Sequence, residues 1–288
     1  MKIYISVDME GVAGIVDRAQ GSAGGMDYGR GRQLMTLEAA SAAQAALDAG
    51  ADEVVISDSH GSNGSRNLII EDLPEDVWLI SGDSRPLLQM QELDESYDAL
   101  IMIGYHTRHG FSGVLDHTIS GRDVYEVRIN GRPVGEVEIN AALAGHFGVP
   151  VTAVSGDNKL ADELAEWLPW SRRIVVKRAV GRHAAASMHP RRARALIYDE
   201  VKASLENLNA MQPLVVDTPV TIDYQCKVSS AADLAAGLTG IERVDDLTVR
   251  IVRDDYLTAF KDLRVAIQHA GLALAAAMAS GGGKVAGT

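Results

Sequence analysis

Lys2-Ile3-Tyr4-Ile5-Ser6-Val7-Asp8-Met9-Glu10-Gly11 opens the chain as a short apolar run closed by two acidic residues and a glycine. A run that is apolar throughout, rather than strictly alternating, is the pattern of a strand covered on both faces. The pattern returns at residues 53–57, 77–81, 99–103 and 150–155, each time closed by polar or glycine punctuation and followed by helical spacing. Leu34, Leu37, Ala40 and Leu47, with Gly50 as the stop, supply one such helix between the first two runs. The class is therefore α/β, a largely parallel sheet covered by helices.

Further along, the texture changes. Residues 124–129, then Asn130-Gly131, then Pro133-Val134 read as a hairpin, because Asn-Gly tolerates the positive φ angles of a tight turn. Beyond about residue 181 come a basic helical segment (191–208), a longer strand pattern (215–227), a short strand (247–252) and a closing helix. This predicts an α/β domain over 1–180, a second, smaller α+β domain over 181–280 with a possible role in oligomerisation, and a disordered glycine-rich tail at 281–288. Tyr256, Phe260, Leu263, Ile267, Ala270 and Leu274 form the apolar stripe of the closing helix, with Asp254 and Asp255 at its positive end.

Composition narrows the function. The 288 residues carry 27 Lys plus Arg against 39 Asp plus Glu, a formal charge of −12, and 5% of them are aromatic. An acidic surface argues against nucleic acid, since phosphate binding needs clustered cations. The one dense basic run, His189-Pro190-Arg191-Arg192-Ala193-Arg194, reads as a solvated helix start. A single cysteine, Cys226, rules out an internal disulfide framework and a thiolate metal cage, and fits a reducing compartment. Met1-Lys2 runs straight into the first strand, and the longest apolar stretch, 272–279, is far short of a membrane span. Neither a secretory leader nor a membrane partner is expected, and the cytoplasm is the default location.

The chemistry lies in the segments just past the strands. Val7 is followed by Asp8-Met9-Glu10-Gly11, Ser57 by Asp58-Ser59-His60-Gly61, and Ile103 by Gly104-Tyr105-His106. In a parallel sheet these tails emerge at one carboxyl edge, where open α/β folds place their ligands. Two carboxylates alone would repel, whereas carboxylates with neutral imidazoles suit a divalent cation. The ordinary alternative is that Asp8 and Asp58 cap helices and that His60 and His106 are hydrogen-bonded loop residues. Ser81-Gly82-Asp83 and Ser155-Gly156-Asp157 also come after strands; Asp157 reads as a helix cap, and Asp83 stays open. His109 and His117 lie in the loop after His106, where an imidazole could serve as acid or base. No zinc helix of the His-Glu-x-x-His type, no phosphate loop and no nucleophile elbow occurs.

Taken together, Ser6-Val7-Asp8-Met9-Glu10-Gly11, Asp58-Ser59-His60, Ser81-Gly82-Asp83, Gly104-Tyr105-His106, Gly113-Val114-Leu115-Asp116-His117 and Asn130-Gly131-Arg132-Pro133-Val134-Gly135-Glu136 resemble, in order, the zinc-dependent D-aminopeptidases of the DppA type. The resemblance implies a cofactor of two Zn2+ ions per subunit, held by Asp8, Glu10, His60, His106 and Glu136 with Asp8 bridging, and a catalytic His117. Glu136 enters only through this match, with Glu138 as its confusable neighbour. With one carboxylate bridging, the five side chains give each metal three protein bonds and leave room for water and substrate. The implied activity is hydrolysis of N-terminal residues, preferably D-residues such as D-Ala, from short peptides by a homodecameric ring. From the residues alone, a two-metal hydrolase of another amide or ester, or a non-catalytic ring that binds peptide or metal, stays open.

Overall fold

The structure is a computed structural model, and it describes residues 1–280. Its strands are β1 (Lys2–Val7), β2 (Glu53–Asp58), β3 (Trp78–Ile80), β4 (Ala99–Ile103), β5 (Val124–Ile129), β6 (Arg132–Val134), β7 (Val151–Asp157), β8 (Arg172–Gly181), β9 (Ala184–Ser187), β10 (Val220–Cys226), β11 (Ile241–Arg243) and β12 (Thr248–Arg253). The helices are α1 (Arg18–Gly21), α2 (Tyr28–Asp48), α3 (Glu136–His146), α4 (Asn158–Glu163), α5 (Pro190–Glu206), α6 (Ser229–Ala236) and α7 (Tyr256–Ser280).

The chain divides into two compact units: Met1–Asp116 with Glu136–Val216, and His117–Gly135 with Asp217 onward. The first holds a seven-stranded sheet in the order β3-β2-β1-β4-β7-β8-β9. All its neighbours pair in parallel except β9, which runs antiparallel to β8. Strands β4 and β7 are buried along their whole length, which is why they read as unbroken apolar runs. In β1, Ile3, Ile5 and Val7 join the core built with Leu34, Met35, Ala39, Ala42, Ala43 and Ala46 of α2 and Ala193, Ile197, Val201 and Leu205 of α5. Tyr4 and Ser6 face the other way, as period-two alternation requires. Helix α2 ends at Asp48, and Gly50 takes the positive φ of 89° that only glycine adopts without strain.

The second unit holds an antiparallel sheet in the order β11-β12-β10-β5-β6. Strand β10 alternates buried and half-buried residues, with Val220, Ile222, Tyr224 and Cys226 inward, and helices α6 and α7 pack on it. The α7 stripe of Tyr256, Phe260, Leu263, Ile267 and Ala270 is buried, and Asp255 accepts the Thr258 N–H at 2.9 Å at the start of that helix.

The division at residue 181 is not where the compact units part. Helix α5 stays in the first unit because its apolar face, Ala193, Ile197, Val201 and Leu205, is buried in that core. The hairpin β5–β6 leaves the first unit because β5 pairs with β10, Ile222 opposite Ile129. The strand expected over 215–227 begins only at Val220, after Pro219, which has no N–H to give a ladder. The tail at 281–288 lies outside the described residues.

Candidate metal centre

Four chain segments deliver the candidate ligands, and all belong to the first unit. Asp8 directly follows β1, His60 lies two residues past β2, His106 three past β4, and Glu136 opens α3. Register makes them converge, since Val7 pairs with Asp58 on one side and with Ile103 on the other. The Asp8 N–H donates to the Ile103 carbonyl at 2.8 Å and the Gly11 N–H to the Gly104 carbonyl at 2.7 Å, which ties the two turns together. Beneath them runs a buried hydroxyl chain: Ser6 Oγ lies 2.6 Å from both Ser59 Oγ and Tyr105 Oη.

Asp8 is at the middle of the cluster. Its Oδ1 is 3.1 Å from His60 Nδ1 and its Oδ2 is 3.4 Å from His106 Nε2. Glu10 Oε2 is 3.1 Å from His60 Nδ1, and Glu136 Oε1 is 3.3 Å from His106 Nε2. Asp8, His60, His106 and Glu136 are buried, and Glu10 is half-buried. The outer nitrogen of each imidazole is engaged by a backbone carbonyl: His60 Nε2 donates to Gly21 O at 2.7 Å and His106 Nδ1 to Thr107 O at 2.9 Å. With the outer nitrogen donating, the inner nitrogen of each ring faces two carboxylate oxygens, as an N–H in the imidazolium and as a lone pair in the neutral ring. Lone pairs facing carboxylates repel unless a cation lies between them.

Electrostatics says the same. Burial pushes the Asp8 carboxyl up, and the Glu10 charge pushes it further. Burial alone would lower the His60 and His106 imidazoliums. The carboxylates overturn that: Glu10 and Asp8 hold His60 well above its ordinary value, and Glu136 and Asp8 do so for His106. The cluster thus draws a positive charge into itself, by proton or by metal. Distances favour a metal that takes both N and O donors. Two donors each about 2.1 Å from a tetrahedral zinc stand about 3.4 Å apart, against separations here of 3.1, 3.1, 3.3 and 3.4 Å. The residues therefore fit zinc, and Asp8, Glu10 and His60 form one group that could hold an ion.

The remaining candidates have other partners. Asp58 accepts from the backbone N–H of Asn67 and Leu68 at 2.5 and 2.7 Å and anchors a loop. Asp157 caps α4 through the N–H of Lys159 and Leu160, at 2.8 and 2.9 Å. Asp83 accepts from Ser65 Oγ at 3.3 Å, and His109 Nδ1 stands 3.6 Å from Asp116 Oδ2. Glu138 lies two residues past Glu136, and positions two apart on a helix do not share a face. Its charge, with burial as the larger cause, raises Glu163 to about 8. His117 is the first residue of the second unit and comes directly after Asp116, which Arg182 grips at 2.6 and 2.8 Å.

Sequence reasoning passed over the braces. Gln89 Nε2 donates to Glu136 Oε2 at 2.5 Å, and Asn140 Nδ2 donates to Gln89 Oε1 at 2.6 Å. Lys177 Nζ donates to the carbonyls of Glu10, Val12 and Ile15, and Glu38 Oε1 accepts the Ala13 N–H at 3.0 Å. Burial lowers the Lys177 ammonium to about 8 and raises the Glu38 carboxyl to about 7. A lysine directly after the apolar run Ile174-Val175-Val176 was the one available signal.

Comparison with known proteins places this geometry in context. A family model described as D-aminopeptidase matches residues 1–265. The D-aminopeptidase of Bacillus subtilis (strain 168) is 33% identical over 269 residues, covering 92% of this chain and 96% of that protein. The solved structure of the Zn-dependent D-aminopeptidase DppA from Bacillus subtilis, a self-compartmentalizing protease, matches with a TM-score of 0.90 and 33% identity over 94% of this chain and 98% of that one.

Proposed function

The chain belongs to the D-aminopeptidase family of Zn-dependent metallopeptidases, and from that premise we propose that it is a two-zinc aminopeptidase releasing N-terminal residues, D-Ala among them, from short peptides. The observation that carries this reading is the set of three carboxylates and two imidazoles at one sheet edge, with both rings turned inward by backbone carbonyls. Asp8, with one oxygen toward each imidazole, would contribute to holding both ions. Glu10 and His60 would complete one half, and His106 and Glu136 the other.

Zinc bound there supplies Lewis acidity toward the scissile carbonyl and toward water. The chain's own groups set the orientation. Gly21 O and Thr107 O fix the imidazole tautomers, and Gln89 holds Glu136 by its second oxygen. We assign His117 the proton transfer to the leaving amine; the Arg182–Asp116 grip fixes the residue before it in the chain. The Bacillus subtilis relative is a self-compartmentalizing protease, and we extend that to a homodecameric ring in the cytoplasm for this chain. No described helix is long and apolar enough to cross a membrane.

The test is a panel of D-Ala and L-Ala p-nitroanilides and dipeptides, with zinc content measured on the same samples. Zinc-loaded protein is expected to cleave the D-Ala substrates. Asp8→Ala, which removes the residue shared by both halves, is expected to lose zinc and activity together. A zinc-loaded protein that cleaves no peptide, or only non-peptide amides and esters, overturns the proposal. Light scattering checks the ring.

A further inference from the structure

Lys177 projects from β8 and is 2% exposed. An ammonium has three donors, and here all three go to one turn: Glu10 O at 2.5 Å, Val12 O at 3.1 Å and Ile15 O at 2.7 Å. Burying a cation is costly unless its hydrogens are satisfied, so three converging carbonyls are a built receptor rather than a chance contact. The acidic groups nearest to it, Asp157, Glu38 and Glu10, act on it through space and favour its charged form. From another side Glu38 takes the Ala13 N–H, and the Gly11 N–H is held by Gly104 O. Residues 10–15 are therefore clamped at carbonyls and amides alike, and the clamp starts on the peptide of Glu10 itself.

The other candidate ligands have different anchors. Asp8 is held by the Ile103 carbonyl through its own N–H and accepts the Met9 N–H at 2.8 Å. His60 is held by Gly21, His106 by Thr107, and Glu136 by Gln89. We propose that Lys177 is a positioning residue that acts through the Glu10 peptide, setting the zinc affinity of the Asp8–Glu10–His60 half and leaving the His106–Glu136 half unaffected. This rests on the two-zinc reading above, and what it adds is an asymmetry between the two halves that the ligand set alone does not contain.

The test is zinc titration against a competing chelator on the whole protein, wild type beside Lys177→Met, which keeps an apolar stem and removes the three donors. Wild type is expected to show two bound zincs. In Lys177→Met one affinity should stay at the wild-type value and the other should fall by about 10–100-fold, the usual effect of removing a partner behind a ligand. In Lys177→Ala, added ethylammonium should restore the weakened step. Should Lys177→Met not fold, the titration is run on Lys177→Arg, whose planar fork cannot meet three converging carbonyls as an ammonium does; one step selectively weakened supports the proposal. Two unchanged affinities, or two weakened alike, overturn it. A wild type that binds fewer than two zincs overturns the two-zinc reading as well, whereas two zincs in wild type with no change in the variant overturns this inference alone.

Discussion

Gly11→Ala tests the physical claim that the Asp8–Glu10 turn and the Gly104–His106 turn are packed backbone to backbone. A Cβ at residue 11 would stand 1.9 Å from Tyr105 O, 2.5 Å from Gly104 C and 2.7 Å from Tyr105 C, all main-chain atoms. No flexible side-chain end is available to move aside. To reach the 3.4 Å at which ordinary contact begins, the turns must part by about 1.5 Å. That parting acts on the 3.4 Å between Asp8 Oδ2 and His106 Nε2, while metal–ligand distances tolerate only about 0.2 Å. One carboxylate could then no longer serve both halves. Overpacking of this kind costs about 1–3 kcal/mol of stability, and a 1 Å misplacement at a reacting centre costs about a hundredfold in rate. The assay combines zinc per subunit, kcat/KM on D-Ala p-nitroanilide and a thermal melt. The expected result is zinc well below wild type, at least a hundredfold loss of kcat/KM and a melt that is lowered yet cooperative. Gly29→Ala, in α2 with nothing within 4 Å of the added carbon, is the control and should leave zinc and activity unchanged. Gly11→Ala with full zinc and wild-type kcat/KM would refute the reasoning, because the two turns would then be free to separate.

Replacing His117 by Ala should lower kcat by about two to four orders of magnitude, the usual worth of a general acid or base, with zinc content near wild type; equal loss of zinc would make it a ligand instead. Glu38, raised to about 7 from 4.5, keeps its proton in the folded chain at pH values where the unfolded chain has released it. Stability should therefore fall as pH rises from about 4.5 to about 7, by about 3 kcal/mol, and Glu38→Gln, which still accepts the Ala13 N–H, should flatten that slope in urea unfolding across this range. Cys226, buried in β10 with its thiol pushed up by burial, should react with iodoacetamide only as the five-stranded sheet opens; alkylation of the native protein at the rate of a free thiol would contradict its placement.

The parallel sheet was legible because its central strands, β1, β2, β4 and β7, are buried on both faces and need apolar runs to be so. β1, β2, β4 and β7 lie within a few residues of the runs that announced them. The hairpin β5–β6 was legible from Asn130-Gly131, both of which take positive φ, 48° and 80°. The unit boundary was not, because it depends on where apolar faces find partners. Nothing in Arg191-Arg192-Ala193-Arg194 says that Ala193 and Ile197 will be buried in the α2 core, and nothing in the β5 alternation names β10 as its partner. Strand-end placement brought Asp8, His60 and His106 to notice. Glu136 opens a helix, not a strand tail, and only the family resemblance pointed to it. Asp58, in the same strand-end position as Asp8, turned to the Asn67 and Leu68 amides. That choice is made by a loop nine residues away, which no local pattern reveals.

The braces behind the candidate ligands bear on how the site assembles. In small zinc modules the ligands meet only when the metal arrives, so binding and folding are one event. Here Gly21 O and Thr107 O orient the rings, Gln89 orients Glu136, and Lys177 with Glu38 fixes the turn of residues 10–15. Each brace comes from the sheet, its helices or the turns at its edge, and all are supplied by the fold of the first unit. Folding of the first unit should therefore suffice to bring these side chains together, where burial and then the Glu10 charge raise Asp8, and the carboxylates raise both imidazoliums. On the two-zinc proposal, zinc would compete with protons for these groups, so its uptake should release protons and weaken as pH falls. Chelation should then strip the site and leave the cooperative unfolding of the seven-stranded sheet in place, with a lower midpoint. A chelated protein with no cooperative transition would mean that metal, and not the braces, organises this edge of the sheet.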